Sequence, residues 1–152
     1  MRNVQPQTDE TRLNAKHRVM VILWGAFVCS VGFYFMLSLV LPKPASDGSE
    51  GRIITFALTA TGTFLTIVSF VIKQKFLVQA EATQSPALVQ TGHIIALALS
   101  EGAALLGLLD YLITGNRYYY IMFVVALIGM LLHFPNRDRL AAAAYRQQNR
   151  IE

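Results

Sequence analysis

An uncharged stretch near the start of the chain restricts its fold more than any other feature. No residue from Val19 to Leu41 carries a charge, and Pro42 follows directly. A helix rises 1.5 Å per residue, so about 20 apolar residues cross the ~30 Å hydrocarbon core of a bilayer. The stretch is also longer than the apolar region of ~7–15 residues found in a cleaved signal peptide. It therefore predicts a transmembrane anchor that is not removed.

Three further apolar segments repeat this pattern, and the composition agrees with them. The chain has 152 residues, of which 54% are hydrophobic and only 14% are charged, whereas soluble domains carry about 25% charged residues. Because a backbone in lipid must satisfy its own hydrogen bonds, each segment should be a helix. We predict an all-α, polytopic membrane protein with four transmembrane helices in an antiparallel bundle, at residues 19–41, 53–72, 88–113 and 118–134.

The polar segments predict the remaining organisation. Residues 1–18 form a polar cytoplasmic tail, and its first sixteen residues lack apolar periodicity, so we expect them to be flexible or to order only against a partner. Residues 42–51 contain two prolines and two glycines, which indicates an outer loop. Residues 135–152 form a basic cytoplasmic tail, in which four consecutive alanines favour a short helix at the membrane surface.

The basic residues predict the orientation. Ten of the 13 Lys and Arg residues fall in the two tails and in the segment between the second and third spans, leaving Lys43, Arg52 and Arg117 for the other side. Positively charged loops stay in the cytoplasm, so both termini should be cytoplasmic, in a cytoplasmic-type membrane such as a bacterial inner membrane. The net charge of +4 is then explained by orientation and contact with membrane lipid, and no nucleic-acid partner is expected.

Glu101 is the leading candidate for a functional residue. It lies near the middle of the third span, where a charged side chain costs about 2.5–3.5 kcal/mol on insertion scales. It should therefore be protonated or paired. Either it handles protons or cations, or it is a neutral carboxyl group that hydrogen-bonds to a neighbouring helix and determines packing. The candidate partners are the hydroxyl groups of the second span: Thr59, Thr61, Thr63 and Thr66.

The residues around Glu101 also suggest a family. Residues 98–109 read Ala-Leu-Ser-Glu-Gly-Ala-Ala-Leu-Leu-Gly-Leu-Leu, and this stretch resembles the carboxylate-bearing helix of the rotor-ring proteolipid, subunit c, of rotary ATP synthases. The resemblance covers that one helix and no more of the chain. In that family the membrane carboxylate binds the transported ion, so the resemblance implies that Glu101 is protonatable.

The third span also carries a stripe of small residues spaced three or four apart, hence on one side of the helix. The stripe consists of Gly92, Ala96, Ser100, Ala103 and Gly107. Small side chains let helix backbones approach closely, so we interpret the stripe as a packing surface. The opposing surfaces could come from Gly25 and Gly32 in the first span, and from Ala60 and Gly62 in the second.

Two histidines form the second candidate site. His93 lies near the cytoplasmic start of the third span and His133 near the cytoplasmic end of the fourth, so antiparallel neighbours could bring them to one depth. Two imidazoles could ligate a haem iron, and either one could ligate the magnesium of a chlorophyll. Hydrogen bonding to headgroups or to a partner is the alternative. Asp110 should meet water or Arg117 at the outer surface.

These features favour a non-catalytic protein. The sequence shows no catalytic triad or dyad, no phosphate-binding glycine loop and no cluster of metal ligands, and its single cysteine, Cys29, excludes a disulfide within the chain. We predict an accessory or structural subunit of a larger membrane complex, such as a respiratory or photosynthetic one, bound to other integral membrane subunits or to copies of itself. The alternatives are proton or cation translocation by Glu101, and haem or chlorophyll ligation by His93 or His133.

Overall fold

A computed structural model describes residues 6–42, 48–83, 85–138, 140 and 142. They form four helices in chain order: α1 (Pro6–Val40), α2 (Gly48–Thr83), α3 (Pro86–Thr114) and α4 (Tyr120–Leu132). The described residues contain no strand. The all-helical prediction is therefore confirmed.

Three of the four helices are long and apolar enough to cross a membrane. The qualifying segments are Leu13–Val40, Gly51–Thr83 and Pro86–Thr114, and they indicate a membrane-embedded protein. Helix α4 is apolar throughout but has only 13 residues, about 20 Å at 1.5 Å per residue. By length and composition α4 alone therefore falls short of a full crossing.

Local sequence explains where α3 begins and ends. Pro86 stands in its first turn, where a residue without an N–H group loses no hydrogen bond and the proline ring presets the helical φ angle. The helix ends at Thr114, and the next residue, Gly115, adopts a left-handed conformation with φ 61° and ψ 21° and donates its N–H to the Tyr111 carbonyl. Glycine takes this conformation without the steric cost that a Cβ would add.

Two polar segments are more ordered than their sequences predict. Helix α1 begins at Pro6, within the tail that we expected to be flexible, and α2 continues beyond Lys73 and Lys75 to Thr83. The α1 extension is held by burial of Leu13, which packs with Met20, Ala80, Val89 and Leu140. One buried leucine in the tail is enough for this contact, although the apolar residues of the tail do not recur at helical spacing.

Two predicted loop and tail structures fall mostly outside the described residues. The outer loop at 42–51 is described only at residue 42 and from residue 48, where α2 begins. In the C-terminal tail, residues 137, 138, 140 and 142 are helical. The predicted surface helix otherwise lies outside the described part of the chain.

Helix α3 is the centre of the fold, since it contacts each of the other three helices and packs most extensively against α2. Helices α1 and α2 barely touch each other. The main core lies where α1, α3 and α4 meet, with Val31, Leu97, Ala104, Phe123 and Met130 among its buried residues. The buried residues of α3 can therefore be described by which neighbour they face.

All five residues of the small-residue stripe are buried, and the close neighbours of Gly92, Ser100, Ala103 and Gly107 come from α2 and α4. A Cβ on Gly92 would lie 2.4 Å from Cβ of Phe76, and one on Gly107 would lie 2.7 Å from Cβ of Met122. A Cβ on Gly62 would meet Cα of Ala103 at 3.5 Å. The sequence suggested surfaces on the first and second spans as partners of the stripe. The structure shows the contact with the second span, through Gly62.

The first span does not provide the expected glycine surface. No described heavy atom lies within 4 Å of a Cβ added to Gly25 or Gly32. Ala60 of α2 is likewise exposed. Helix α4 supplies a surface that sequence reasoning missed, because Gly129 lies against Ser100, whose Oγ would be 3.1 Å from an added Cβ.

Candidate functional site

The carboxyl group of Glu101 is held by two hydroxyl groups of α1. Ser30 Oγ donates to Glu101 Oε1 at 2.5 Å, and Tyr34 Oη donates to the same oxygen at 3.0 Å. Ser30 and Tyr34 are four residues apart and therefore lie on one face of α1. Within the described residues, no hydrogen bond reaches the second oxygen, Oε2.

The expected threonine partners lie elsewhere. Thr61 and Thr63 are exposed, and the buried Thr66 donates its hydroxyl to the Gly62 carbonyl within its own helix. Helix α2 contacts the side of α3 that bears Ala103, which is two residues, or about 200°, from Glu101 around the helix. The prediction of a partner from the second span was wrong because depth in the membrane says nothing about which side of α3 that span covers.

Glu101 stands at the border of the one side of α3 that the described helices leave open. Ala98, Leu105 and Leu112 are exposed, and because they are seven residues apart they lie on one side of the helix. Glu101 lies three and four residues from the first two, and it is itself only partly buried. Oε1 of Glu101 is thus bound to α1, and the residue borders the uncovered side, which we call the open face of α3 (Ala98, Leu105, Leu112).

Asp110 bears the other carboxyl group of α3, and this residue is buried, with only 1% of its surface exposed. Its Oδ1 accepts hydrogen bonds from Thr55 Oγ1 at 2.6 Å and Thr114 Oγ1 at 2.9 Å, and its Oδ2 accepts one from Asn116 Nδ2 at 2.7 Å. The expectation that Asp110 meets water or Arg117 was wrong. Arg117 instead lies over the Tyr118 ring, 5.4 Å from its centroid.

The Asp110 cluster joins two helices and a turn. Thr55 belongs to α2, Thr114 ends α3, and Asn116 follows Gly115 in the connection to α4. Both carboxyl oxygens have donors, so the cluster is satisfied internally. A cavity of about 810 Å³, to which Arg52 and Tyr118 also contribute, adjoins it.

The two candidate histidines line the same cavity at the opposite end of α3. Both are almost fully buried, with 2% of His93 and none of His133 exposed. The cavity has a volume of about 290 Å³, and Lys73, Gln74 and Asn136 contribute polar groups to it. The structure therefore brings His93 and His133 to one site, together with a lysine that sequence reasoning had used only to orient the chain.

The two imidazoles differ in their hydrogen bonds. His133 Nε2 lies 2.8 Å from Ser69 Oγ, and its Nδ1 lies 3.4 Å from Lys73 Nζ. Its ring also stacks at a tilt on Phe70, with 4.4 Å between centroids. By contrast, Nε2 of His93 is buried and has no hydrogen-bond partner among the described residues.

This difference bears on haem or chlorophyll ligation, which remains a prediction. An imidazole nitrogen that ligates a metal must present a free lone pair. Both nitrogens of His133 already face polar partners, so ligation in this arrangement would depend on His93. Among the described residues, no group of three or more His, Cys, Asp or Glu side chains could hold a metal ion.

Comparison with known proteins finds no match for this chain among protein families, curated proteins or solved structures.

Proposed function

We propose that the chain crosses the membrane four times as an antiparallel bundle, with both termini in the cytoplasm. The contacts between α1 and the α4 region support the fourth crossing. Ser38 Oγ donates to Tyr119 Oη, Trp24 Nε1 donates to the Met130 carbonyl, and His17 Nε2 lies 3.4 Å from the Pro135 carbonyl. The region from Tyr119 to Pro135 thus runs beside α1 from Ser38 back to His17, a distance of about 30 Å along the helix axis.

We further propose that the protein is a non-catalytic accessory subunit that docks, through the open face of α3, against a transmembrane helix of a larger membrane complex. The observation that carries this proposal is the partly buried Glu101 at the border of that face. Oε1 has two donors from α1, whereas Oε2 has none among the described residues. Lipid tails cannot donate a hydrogen bond, so an unpaired carboxyl oxygen there is costly.

A partner helix bearing a hydroxyl, amide or basic side chain would satisfy Oε2. Interhelical hydrogen bonds of this kind contribute about 0.6–2 kcal/mol in membranes, and close packing against the short side chain of Ala98 would add to it. Energy-transducing complexes, respiratory or photosynthetic, are the class we propose for the partner, since they are large assemblies of membrane helices.

Site-specific photocrosslinking in native membranes tests this docking. A photoreactive residue replaces Leu105 on the open face or, as a control, Leu127 on α4; the two leucines are similarly exposed, at 40% and 39%. We expect a crosslink from position 105 to one defined membrane protein, absent from position 127 and weakened by Glu101→Gln. Glu81→Gln, on an exposed carboxylate, should leave it unchanged. Crosslinks only between copies of this chain, or equal crosslinks at both positions, would contradict the proposal.

A second function, proton or cation translocation, is favoured by the same carboxyl group and by the resemblance of residues 98–109 to the rotor-ring helix. The hydroxyl groups of Ser30 and Tyr34 could orient the carboxyl group for proton exchange. In vesicles that contain the full-length protein, Glu101→Gln should abolish a proton or sodium flux, while Glu81→Gln preserves it. Unchanged flux in Glu101→Gln, or none with the unaltered protein, would exclude translocation.

A further inference from the structure

The cavity between His93 and His133 is lined by an imidazole, that of His93, whose Nε2 has no hydrogen-bond partner among the described residues. His93 is 2% exposed, and its Nε2 has no hydrogen bond there. Buried polar groups in folded proteins nearly always have a partner, because an unpaired one loses its hydration without compensation. Because His93 lines the cavity, a ligand bound there is the group left to pair with its imidazole.

The hydrogen bonds of His133 can be assigned from the chemistry of its neighbours. A lysine ammonium group only donates, so His133 Nδ1 accepts from Lys73 Nζ and the proton of the neutral ring resides on Nε2. That proton goes to Ser69 Oγ, because the Ser69 hydroxyl already donates to the Thr66 carbonyl at 2.6 Å. His133 is therefore fully engaged and supports Lys73, while His93 remains to bind a ligand.

The charge of the lining selects the class of ligand. Lys73 contributes a positive charge, and none of the described residues that line the cavity is acidic. Asn136 Oδ1 already accepts the Asp138 N–H at 2.8 Å, so its Nδ2 is the group left to donate. A cation would meet repulsion from Lys73, whereas an anion with several oxygen atoms would meet donors from three sides.

We propose that this cavity binds a phosphate group, with Lys73, His93 and Asn136 as its donors. Lys73 follows the second predicted span directly, and Asn136 follows the fourth, which is the depth at which lipid headgroups lie. The cavity also has apolar walls, formed in part by Met20, Leu77 and Leu132, which suit the start of acyl chains. The phosphate can belong to a phospholipid or to a soluble molecule, and the site does not depend on a partner at the open face of α3.

Native mass spectrometry of the full-length protein in detergent tests the site. The probes are phosphatidylglycerol and a diacylglycerol with the same acyl chains, and inorganic phosphate is tested separately by thermal stabilisation. We expect phosphatidylglycerol to bind at least five-fold more than diacylglycerol, and the difference to be lost in Lys73→Gln and His93→Ala. Lys75→Gln is the matched control, because this exposed lysine does not line the cavity.

Asn136→Ala is a second variant of the site that should still fold, because Asn136 is exposed. We expect it to weaken phosphatidylglycerol binding and to leave the helicity measured by circular dichroism unchanged. Stabilisation by inorganic phosphate that requires Lys73, without lipid selectivity, would assign the site to a soluble phosphate and still support the proposal. Equal binding of the two lipids together with no phosphate effect would overturn it, as would equal losses in Lys73→Gln and Lys75→Gln.

Discussion

Helix α3 bears two carboxyl groups, on Glu101 and Asp110, that differ in their hydrogen bonding. Asp110 and Glu101 are nine residues apart, which places them on opposite sides of the helix. Asp110 faces α2 and has donors on both oxygens, whereas Glu101 faces α1 and has donors on one. A fully satisfied carboxyl group contributes to stability, and a partly satisfied one at an open face is available for binding.

Asp110→Ala should therefore destabilise the isolated protein. The substitution removes the carboxyl oxygens that accept from Thr55 Oγ1 and Asn116 Nδ2, whereas Thr114 Oγ1 keeps its hydrogen bond to the carbonyl of residue 110. Each unsatisfied buried group costs about 1–3 kcal/mol. Helicity measured during titration with sodium dodecyl sulfate should show unfolding at a lower detergent fraction. Asp138→Ala, which removes an exposed carboxylate, is the control and should match the unaltered protein. A normal midpoint for Asp110→Ala would mean that the cluster adds nothing to stability.

The helices differ in how much of their surface they share. Helix α3 is half-buried along its apolar window, with 50% of the window's residues buried, against 11% for α1 and 17% for α2. Its stripe of small residues makes this possible, because backbones approach most closely where side chains are short. By contrast, a Cβ added to Gly25 or Gly32 of α1 would meet no described atom of another helix within 4 Å, so glycine alone does not identify a contact surface.

Gly92→Ala and Gly25→Ala separate these two environments. A Cβ at position 92 would lie 2.4 Å from Cβ of Phe76, so one of the two helices must shift, at a cost of about 1–3 kcal/mol for overpacking. At position 25 the added methyl group meets no described atom within 4 Å, and alanine has a higher helix propensity than glycine. In the same detergent titration, Gly92→Ala should lower the midpoint and Gly25→Ala should preserve or raise it. Equal midpoints would show that α2 and α3 do not pack this closely.

Across the described part of the molecule, three separate polar sites lie along α3, near His93, Glu101 and Asp110. Each has its own hydrogen-bond partners, and no hydrogen bond among the described residues links one site to the next. A route for ions through one copy of this chain would have to pass apolar packing between the sites. This favours the accessory-subunit proposal over translocation by a single copy.

The proposed fourth crossing makes a prediction for topology. Green fluorescent protein fused after residue 152 should fluoresce in bacterial cells, and alkaline phosphatase fused at the same place should be inactive, because both report a cytoplasmic C-terminus. Fusions after residue 116, which precede α4, should give the opposite pattern. Active alkaline phosphatase at both residue 116 and residue 152 would show that α4 does not cross, and activity at residue 152 alone would show the inverted orientation.

Hydropathy along the chain was sufficient to predict the helical, membrane-embedded class and the position of α3, which begins at residue 86 against a predicted 88 and ends at 114 against 113. Burying apolar side chains in lipid requires about 20 consecutive residues of one segment, so this property is visible in the sequence. The α1 extension was missed because Leu13 gains its burial from residues far along the chain.

The partners of the polar residues depended on tertiary packing. Which side of α3 meets α1, and hence why Ser30 and Tyr34 bind Glu101, follows from how the helices are rotated against one another. The same holds for the burial of Asp110 by Thr55 and for the cavity shared by Lys73, His93 and His133. The rotation of each helix about its own axis depends on all of its contacts with the other helices. The sequence of one helix names only its own residues in those contacts and not the residues that they meet.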